Sequence, residues 1–385
     1  MTDSPIPSMT SRERMLTAMR NRQPDMVPVA PDISNMVPCR LTGKPFWDLY
    51  LHNDPPLWKA YIEAVRFFQM DGWFTCGGLE LKRRNQQFEV TGEPVSQSDE
   101  RIVMRHTWQT PAGELWNETT FYIDNPPTMS RKWIKDFKQD MPKLRYFFPE
   151  IVGYDDRVLQ EMRRELGEAG ALGYHLAPPG MQDLIHWFDD SLMGASVAYY
   201  EQRDLLDELV AMQTACSLRE AEMALDARPD FILLSCSGLW TLNTPEAFHR
   251  YNLPLIQTVS KWGRQADVIV MLHSCGRERE LVEICANETE LFCINPLEIP
   301  PMGDCDLAEI KQKYGHKLAL MGNLHTTEVM LRGTPDTVRR AAMEAIDDAK
   351  AGGGFILSTG DQCGRDTPLE NIHAMVRTAR EYGRY

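Results

Sequence analysis

A short apolar run that ends in a histidine and a cysteine decides the fold: Val268-Ile269-Val270-Met271-Leu272-His273-Ser274-Cys275. The run lacks polar alternation, which is typical of a strand buried on both faces of a parallel sheet. Side chains two residues apart on an extended chain point the same way, so His273 and Cys275 can reach one ion from the strand end. Imidazole and thiolate together suit zinc. The stretch therefore predicts a buried parallel strand that ends in a metal-binding pair.

Strands of the same kind alternate with helices through the C-terminal half. Apolar runs lie at residues 231–235, 291–294, 318–321 and 355–358, and helix-start signals stand between them: Thr244-Pro245, Asp306 with Glu309, Thr334-Pro335 and Thr367-Pro368. Candidate strands at residues 27–30, 72–75 and 172–176 bring the number to eight, which closes a (β/α)₈ barrel. We therefore predict an α/β fold, a single (β/α)₈ TIM barrel over residues 1–385. An open doubly wound sheet is the alternative.

Residues 84–123 depart from this alternation. They show period-two polarity around a turn at Pro111-Ala112-Gly113, which predicts an antiparallel β-hairpin inserted between the second and third barrel strands. Its aromatic residues, Trp108, Trp116 and Tyr122, would either cover the barrel mouth or pack on a neighbouring helix.

Composition excludes several classes of function. The formal net charge of −14 argues against nucleic acid as a partner, because phosphates demand a basic surface. The chain contains no run of 18 apolar residues, so no membrane span is predicted, and the N-terminus lacks the pattern of a signal peptide. Nine cysteines in a chain of 385 residues fit reduced thiols better than a disulfide framework. We expect a cytoplasmic protein without a membrane partner.

The residues that follow the barrel strands are the candidate site, because strand ends converge on one mouth in this fold. We predict zinc ligands at His273, Cys275 and Cys363. Cys236, Glu298 and Asp361 compete for a fourth position that can instead be open to substrate, and we take Cys236 as the fourth ligand. The catalytic candidates are His273, Cys275 and Glu298. The predicted substrate pocket comprises Cys76, His175, Trp240, Asn323 and Asp361.

Several stretches resemble the uroporphyrinogen decarboxylase-like superfamily: residues 12–15, 24–29, 271–276, 295–298, 319–323, 353–358 and 367–371. The resemblance implies a single (β/α)₈ barrel and one of two chemistries. One is metal-free decarboxylation of uroporphyrinogen, and the other is zinc-dependent methyl transfer to or from a corrinoid. Thiol methyltransferases of this kind bind zinc through His-x-Cys and a distant cysteine, which His273, Cys275 and Cys363 match. The gap to Cys363 is longer than in that family.

The decarboxylase alternative fits less well. That branch carries arginines in the loop after the first strand and an aspartate after the second, whereas this chain has no arginine in residues 31–36 and reads Cys76-Gly77-Gly78. The resemblance therefore predicts a methyltransferase of the O-demethylase or thiol type, which moves a methyl group between a methylated small molecule, such as a methoxylated aromatic, and cobalamin. Aromatic residues near the mouth suit such a donor: Trp47, Phe74, Trp187 and Trp240.

The cobalamin is expected on a separate corrinoid-binding protein, because the chain lacks the Asp-x-His-x-x-Gly corrinoid signature. The other small-molecule partner would be a methyl donor or a thiol acceptor. Two alternatives remain, a lyase that acts on a carboxylated substrate and a ligand-binding barrel without catalysis.

Overall fold

A parallel sheet forms the centre of the computed structural model, which describes residues 8–385. It has seven strands, and each is hydrogen-bonded to the next of them along the chain. Their bounds are β1 Gly72–Cys76, β8 Gly170–Leu176, β9 Phe231–Ser235, β10 Ile269–His273, β11 Cys293–Asn295, β12 Ala319–Leu324 and β13 Phe355–Thr359.

Residues 27–30 supply the eighth strand position and close the ring. Val29 forms a parallel bridge with Leu357 of β13, and the Ala30 N–H donates to the Leu357 carbonyl at 2.9 Å. On the other side, the Asp71 N–H donates to the Val29 carbonyl at 2.9 Å, immediately before β1. The predicted (β/α)₈ barrel is therefore confirmed. Seven of the eight predicted strands overlap an observed strand, and the eighth, at residues 27–30, contains this bridge.

Buried charges hold the two edges of this seam together. The Asp71 carboxylate is fully buried and accepts the Val29 N–H at 2.9 Å. It also accepts Arg14 Nη1 at 2.7 Å and Arg380 Nη1 at 2.9 Å. The seam thus joins the first strand segment, β1 and the first and last helices through one carboxylate.

Helices cover the outside of the barrel and connect its strands. Their bounds are α1 Ser11–Met19, α2 Met36–Thr42, α3 Phe46–Tyr50, α4 Leu57–Phe68, α5 Phe137–Leu144, α6 Arg157–Leu166, α7 Met181–Leu184, α8 Ser191–Glu201, α9 Arg203–Ala227, α10 Pro245–Ala247, α11 Leu253–Ala266, α12 Arg279–Glu288, α13 Leu307–Tyr314, α14 Pro335–Ala349 and α15 Leu369–Tyr382. Within residues 8–385, no helix is both long and apolar enough to cross a membrane.

A side-chain cap confirms three of the four predicted helix starts, whereas α15 begins at Leu369, after Thr367-Pro368, without such a cap. The side chains of Thr244, Asp306 and Thr334 each accept a backbone N–H from the first turn that follows. Glu309 does not return the bond to Asp306; it pairs with Arg279 and Lys313 instead.

Alternation along the strands sorts the core into two layers. Trp73, Ala171, Phe231, Met271 and Ile356 belong to one cluster, which fills the barrel interior. Their strand neighbours belong to a second, larger cluster that packs under the helices: Phe74, Leu172, Ile232, Leu272 and Leu357. Because side chains alternate with period two, the interior row of β10 runs Ile269, Met271, His273 and ends at the C-terminal mouth.

The insertion between β1 and β8 is larger than the predicted hairpin. The hairpin itself is present as β4 Arg101–Thr110 and β5 Gly113–Tyr122, joined by a two-residue turn. Flanking strands β3 Glu89–Gln97 and β6 Thr128–Arg131 extend it to four strands, and β2 Glu80–Arg84 pairs with β7 Glu150–Asp155 beside it.

The aromatic residues of the hairpin pack inside the insertion. Trp108 contacts Trp133 and Phe147, with ring centroids 5.6 and 5.7 Å away. Trp116 lies under the Arg105 guanidinium and the Lys135 ammonium group. These two residues thus pack within the insertion and do not line the cavity at the barrel mouth, and the insertion has its own apolar cluster together with α8 and α9.

Candidate metal and substrate site

His273 lies at the mouth, at the end of the interior row of β10. It pairs in register with Ser235 of β9 and Asn295 of β11, and it is 5% exposed. Burial lowers the pKa of His273, although the Asp361 carboxylate opposes the shift. The ring is therefore neutral near pH 7, which is the state in which imidazole binds a metal. Its Nε2 atom lies 3.8 Å from Asp361 Oδ1.

Cys275 is half-buried on the loop that follows β10. Burial raises the pKa of the Cys275 thiol to about 11, and Asp361 and Glu298 act in the same direction, while a hydrogen bond with Ser237 opposes it. A thiol in this setting keeps its proton until a cation arrives to stabilise the thiolate.

Cys363 and Cys236 are more deeply buried than Cys275. Cys363 is fully buried, and its backbone N–H donates to the Asp32 carbonyl at 2.7 Å. Burial raises the pKa of Cys363 to about 12, and Asp32 and Asp361 add to the shift. Burial likewise raises the pKa of Cys236 to about 12, with smaller contributions from Asp183 and Cys275.

Asp361 is the common neighbour of the predicted ligands. Its carboxylate affects the protonation of His273, Cys275 and Cys363 alike. Asp361 has a backbone φ of 133°, a conformation that residues with a side chain rarely adopt. Such strain costs on the order of 1–3 kcal/mol and is concentrated at functional sites.

Glu298 faces the same mouth from the loop after β11. One of its carboxylate oxygens accepts the Gly276 N–H. Burial raises the pKa of Glu298 to about 7, with a further contribution from Asp361. Behind it, the fully buried Glu278 accepts the Leu297 N–H at 2.8 Å and fixes the backbone that carries Glu298. Glu298 can thus hold or release a proton near neutral pH.

These residues fit zinc by chemistry, whereas their spacing does not form a closed coordination shell. In the part of the chain that the structure describes, no three His, Cys, Asp or Glu side chains are close enough to hold a metal ion. The donors are nevertheless one neutral imidazole, several thiols and carboxyl groups, with Asp361 next to each of the three principal ones. Soft thiolates with imidazole form a zinc donor set. The ligand assignment stays a prediction.

A cavity of about 460 Å³ opens beside this cluster. His175 and His273 line it, and so does Phe74. Its other aromatic walls are Trp58, Tyr61 and Trp73, and Asp32 adds a carboxyl group. Sequence reasoning missed these four. Asp32 follows the first strand segment and could have been found by the strand-end rule, whereas Trp58 and Tyr61 lie on α4, where no such rule applies.

The remaining predicted pocket residues lie elsewhere or cannot be placed. Trp240 packs edge-on against Phe248 and does not line the cavity. Asn323 lies in a separate narrow cleft with Glu298 and His325. Trp47 and Trp187 do not line the cavity. The side chain of Cys76 lies outside the described part of the structure.

The family described as "Uroporphyrinogen decarboxylase (URO-D)" matches residues 191–382. The chain belongs to the uroporphyrinogen decarboxylase-like superfamily. The predicted resemblance, including that to its methyltransferase branch, is confirmed. A methylcobamide:CoM methyltransferase of Methanosarcina barkeri is 25% identical over 185 residues, which cover 47% of this chain and 50% of the relative. A uroporphyrinogen decarboxylase of Coxiella burnetii is 22% identical over 197 residues, with coverage of 50% and 52%.

The chain spans about half the length of these curated relatives. A solved structure, a methyltransferase from Methanosarcina mazei, has a TM-score of 0.67 at 17% identity and covers 97% of this chain and 99% of that one. This likeness shows that the two proteins share one fold.

Arg40, which follows the loop at residues 31–36, is not available to bind a substrate. The Nη1 atom of Arg40 donates to the carbonyl oxygens of Arg365 and Thr367. Among the described residues that line the cavity, none is lysine or arginine. The cavity therefore lacks the fixed cations by which a polycarboxylate is held.

Proposed function

We propose that the protein is a zinc-dependent methyltransferase that moves a methyl group between a methylated small molecule and a corrinoid carried by a partner protein. The observation that carries the proposal is the grouping of neutral His273 and protonated Cys275 around Asp361, at the rim of an aromatic cavity. The similarity to methylcobamide:CoM methyltransferases supports the same class of reaction.

The aromatic walls of the cavity favour a methoxylated aromatic donor, the O-demethylase type. Tyr61 and Phe74 lie with ring centroids 4.7 Å apart on one wall, and Trp58 and Trp73 supply others. Flat rings stack on such walls in offset or edge-on geometry. The walls would thus orient the ring of the donor and direct its methoxy group toward His273.

Zinc would be held by His273, Cys275 and Cys363, with Cys236, Glu298 or Asp361 competing for the fourth position. Bound there, it would act as a Lewis acid on the ether oxygen, or hold a thiol acceptor as the thiolate in the thiol type of reaction. The Gly276 N–H fixes the Glu298 carboxylate.

The proposed methyl transfer consumes one proton, which the leaving aryloxide takes up. In that transfer the bond between the methyl carbon and the ether oxygen would break, the partner's corrinoid would supply the nucleophile that takes up the methyl group, and the electron pair of the broken bond would stay on the aryloxide. Glu298, with a pKa near 7, can protonate that oxygen. We also propose a cytoplasmic location, which the eight free cysteines of the described residues support.

Metal content and methyl transfer test the proposal together. We expect about one zinc per chain in the purified protein, and conversion of a methoxylated aromatic to the phenol only when a corrinoid protein with Co(I) is present. Cys275→Ala should lose both metal and turnover. Cys216→Ala, which changes another half-buried cysteine on α9, is the matched control and should keep both.

Two results would favour the other hypotheses. Activity on a carboxylated substrate without metal would identify a lyase, which the absence of lysine and arginine from the described cavity lining disfavours. Unchanged turnover in His273→Ala would show that this mouth is not the catalytic site, and ligand binding without any turnover in the native protein would identify a ligand-binding barrel.

A further inference from the structure

Helix α8 exposes a concentration of apolar side chains to solvent. Leu192, Met193, Val197 and Tyr200 are exposed, Met193 to 73% and Tyr200 to 74%, and we call these four residues the α8 patch. Each of the other helices in residues 8–385 exposes at most one large apolar side chain. Single exposed apolar residues are common on soluble proteins, whereas a contiguous patch marks an interaction site.

The opposite face of α8 packs within its own chain. Ala195, Ala198 and Tyr199 are buried there and join the apolar cluster of the insertion. From Ser191 to Tyr200 the helix has no charged residue, so its outer face lacks the side chains by which a surface helix usually meets water. A helix that is apolar on all sides is normally buried, which indicates that another surface covers the α8 patch.

The α8 patch is self-complementary about a two-fold axis. Met193, Val197 and Tyr200 follow the spacing i, i+4, i+7, which places them on one face of the helix. Val197 lies close to the midpoint between the other two. In an antiparallel pair of α8 helices with the axis beside Val197, this residue would meet its own copy, and Met193 would meet Tyr200 of the second copy.

Charges at the two ends of α8 complement each other in the same arrangement. The Lys132 ammonium group donates to Ser191 Oγ, where the helix begins, and Glu201 ends the helix. Neither Lys132 nor Glu201 forms an ion pair within the described residues. Asp190, at the same end as Lys132, acts on Arg131. An antiparallel pair would therefore bring Lys132 of each chain toward Glu201 of the other.

The net charge of the chain restricts where two copies can meet. At a formal charge of −14, two copies repel each other over most of their surfaces. The repulsion is least at the α8 patch, which carries no charge of its own. Protein interfaces have an apolar centre and a polar rim. The α8 patch would supply the centre, and Lys132 with Glu201 would supply part of the rim.

We propose that α8 forms the centre of a two-fold interface between two copies of this chain, with the α8 patch in the middle and Lys132 opposite Glu201 at each end. The inference goes beyond the proposed function and is independent of it, because it involves neither the cavity nor the predicted metal ligands.

Sedimentation velocity of the purified protein at micromolar concentration tests the proposal. We expect the native chain to be a dimer. Val197→Glu should raise the dissociation constant of the dimer at least about hundredfold and give monomers, because two carboxylates would face each other at the axis. Val152→Glu is the matched control, because Val152 on β7 is exposed to the same extent as Val197, 44%, and lies outside α8. It should stay dimeric.

Charge reversal at the rim tests the antiparallel arrangement. Glu201→Lys and Lys132→Glu should each weaken the dimer about tenfold, and the double variant should return to within about threefold of the native affinity. Circular dichroism and Tm show for each variant that the fold is intact. The result for Val197→Glu decides the proposal even if Lys132→Glu does not fold.

A native chain that is monomeric would overturn the inference, as would a dimer that persists in Val197→Glu or one that Val152→Glu disrupts equally. A double variant weaker than either single variant would overturn the antiparallel pairing. If the native chain is monomeric and Val197→Glu loses binding to a corrinoid protein, the α8 patch belongs to that partner and not to a second copy.

Discussion

Closure of the barrel depends on Asp71, and we expect Asp71→Ala to destabilise the fold by about 3–5 kcal/mol. The substitution removes the partner of the buried Arg14 guanidinium, of Arg380 and of the Val29 N–H. Breaking a buried ion pair costs about 3–5 kcal/mol, and an unsatisfied buried N–H about 1–3 kcal/mol, but the two losses overlap. Arg14 keeps Asp25 as a second partner at 2.7 Å, which favours the lower part of the range.

Urea unfolding, followed by circular dichroism and fluorescence, measures the loss as a lower midpoint at unchanged slope. Asp54→Ala is the control, because its ion pair with Lys44 is equally short, 2.7 Å, but exposed. Such pairs contribute about 0–1 kcal/mol. A loss below about 1 kcal/mol for Asp71→Ala, or one equal to that of Asp54→Ala, would refute the reasoning that this carboxylate holds the seam.

Further predictions concern stability, binding and metal uptake. Burial raises the pKa of Asp183 to about 7. The contribution of this carboxyl group to stability is therefore full below about pH 4 and is lost as the pH rises through about 7. Asp183→Asn, which keeps an acceptor for Trp187 and Gln213, should raise Tm at pH 8 and change it little at pH 4. Trp58→Ala, in the cavity wall, should raise the Kd of a methoxylated aromatic such as 4-methoxybenzyl alcohol up to about tenfold, and it should also lower Tm because Trp58 packs against the core. Zinc added to chelator-treated native protein should release protons from the cysteine thiols, as calorimetry in buffers of different ionisation enthalpy would show, and Cys275→Ala, which should not hold the metal, should release none.

The barrel could be predicted because its strands are short apolar runs that end in polar residues. The same rule put His273 and His175 at the mouth, since both continue the interior row of their strands. It could not find Trp58, because a helix residue reaches the cavity through the packing of α4 on the sheet. Nor could it exclude Trp240, whose position after β9 looks identical in sequence to that of a lining residue.

The insertion was harder to predict than the barrel. Strand β3 is exposed along its whole length, so its sequence carries no alternation of apolar and polar residues, and β2 pairs with β7 across 66 residues between Arg84 and Glu150. Pairing of this range leaves no local pattern. The hairpin β4–β5 was predictable because its turn is short and one of its faces is buried.

The mouth of the barrel lacks positive charge, which favours the proposed metal site. Cys275 keeps its proton at neutral pH and Glu298 is poised between its two forms, because the barrel buries both next to Asp361 without a lysine or arginine among the groups that shift their pKa values. A divalent cation at His273 and Cys275 would supply the missing positive charge on one side of Asp361. A superfamily member built to hold a polycarboxylate would need the opposite arrangement, with cations fixed where this chain has carboxyl groups.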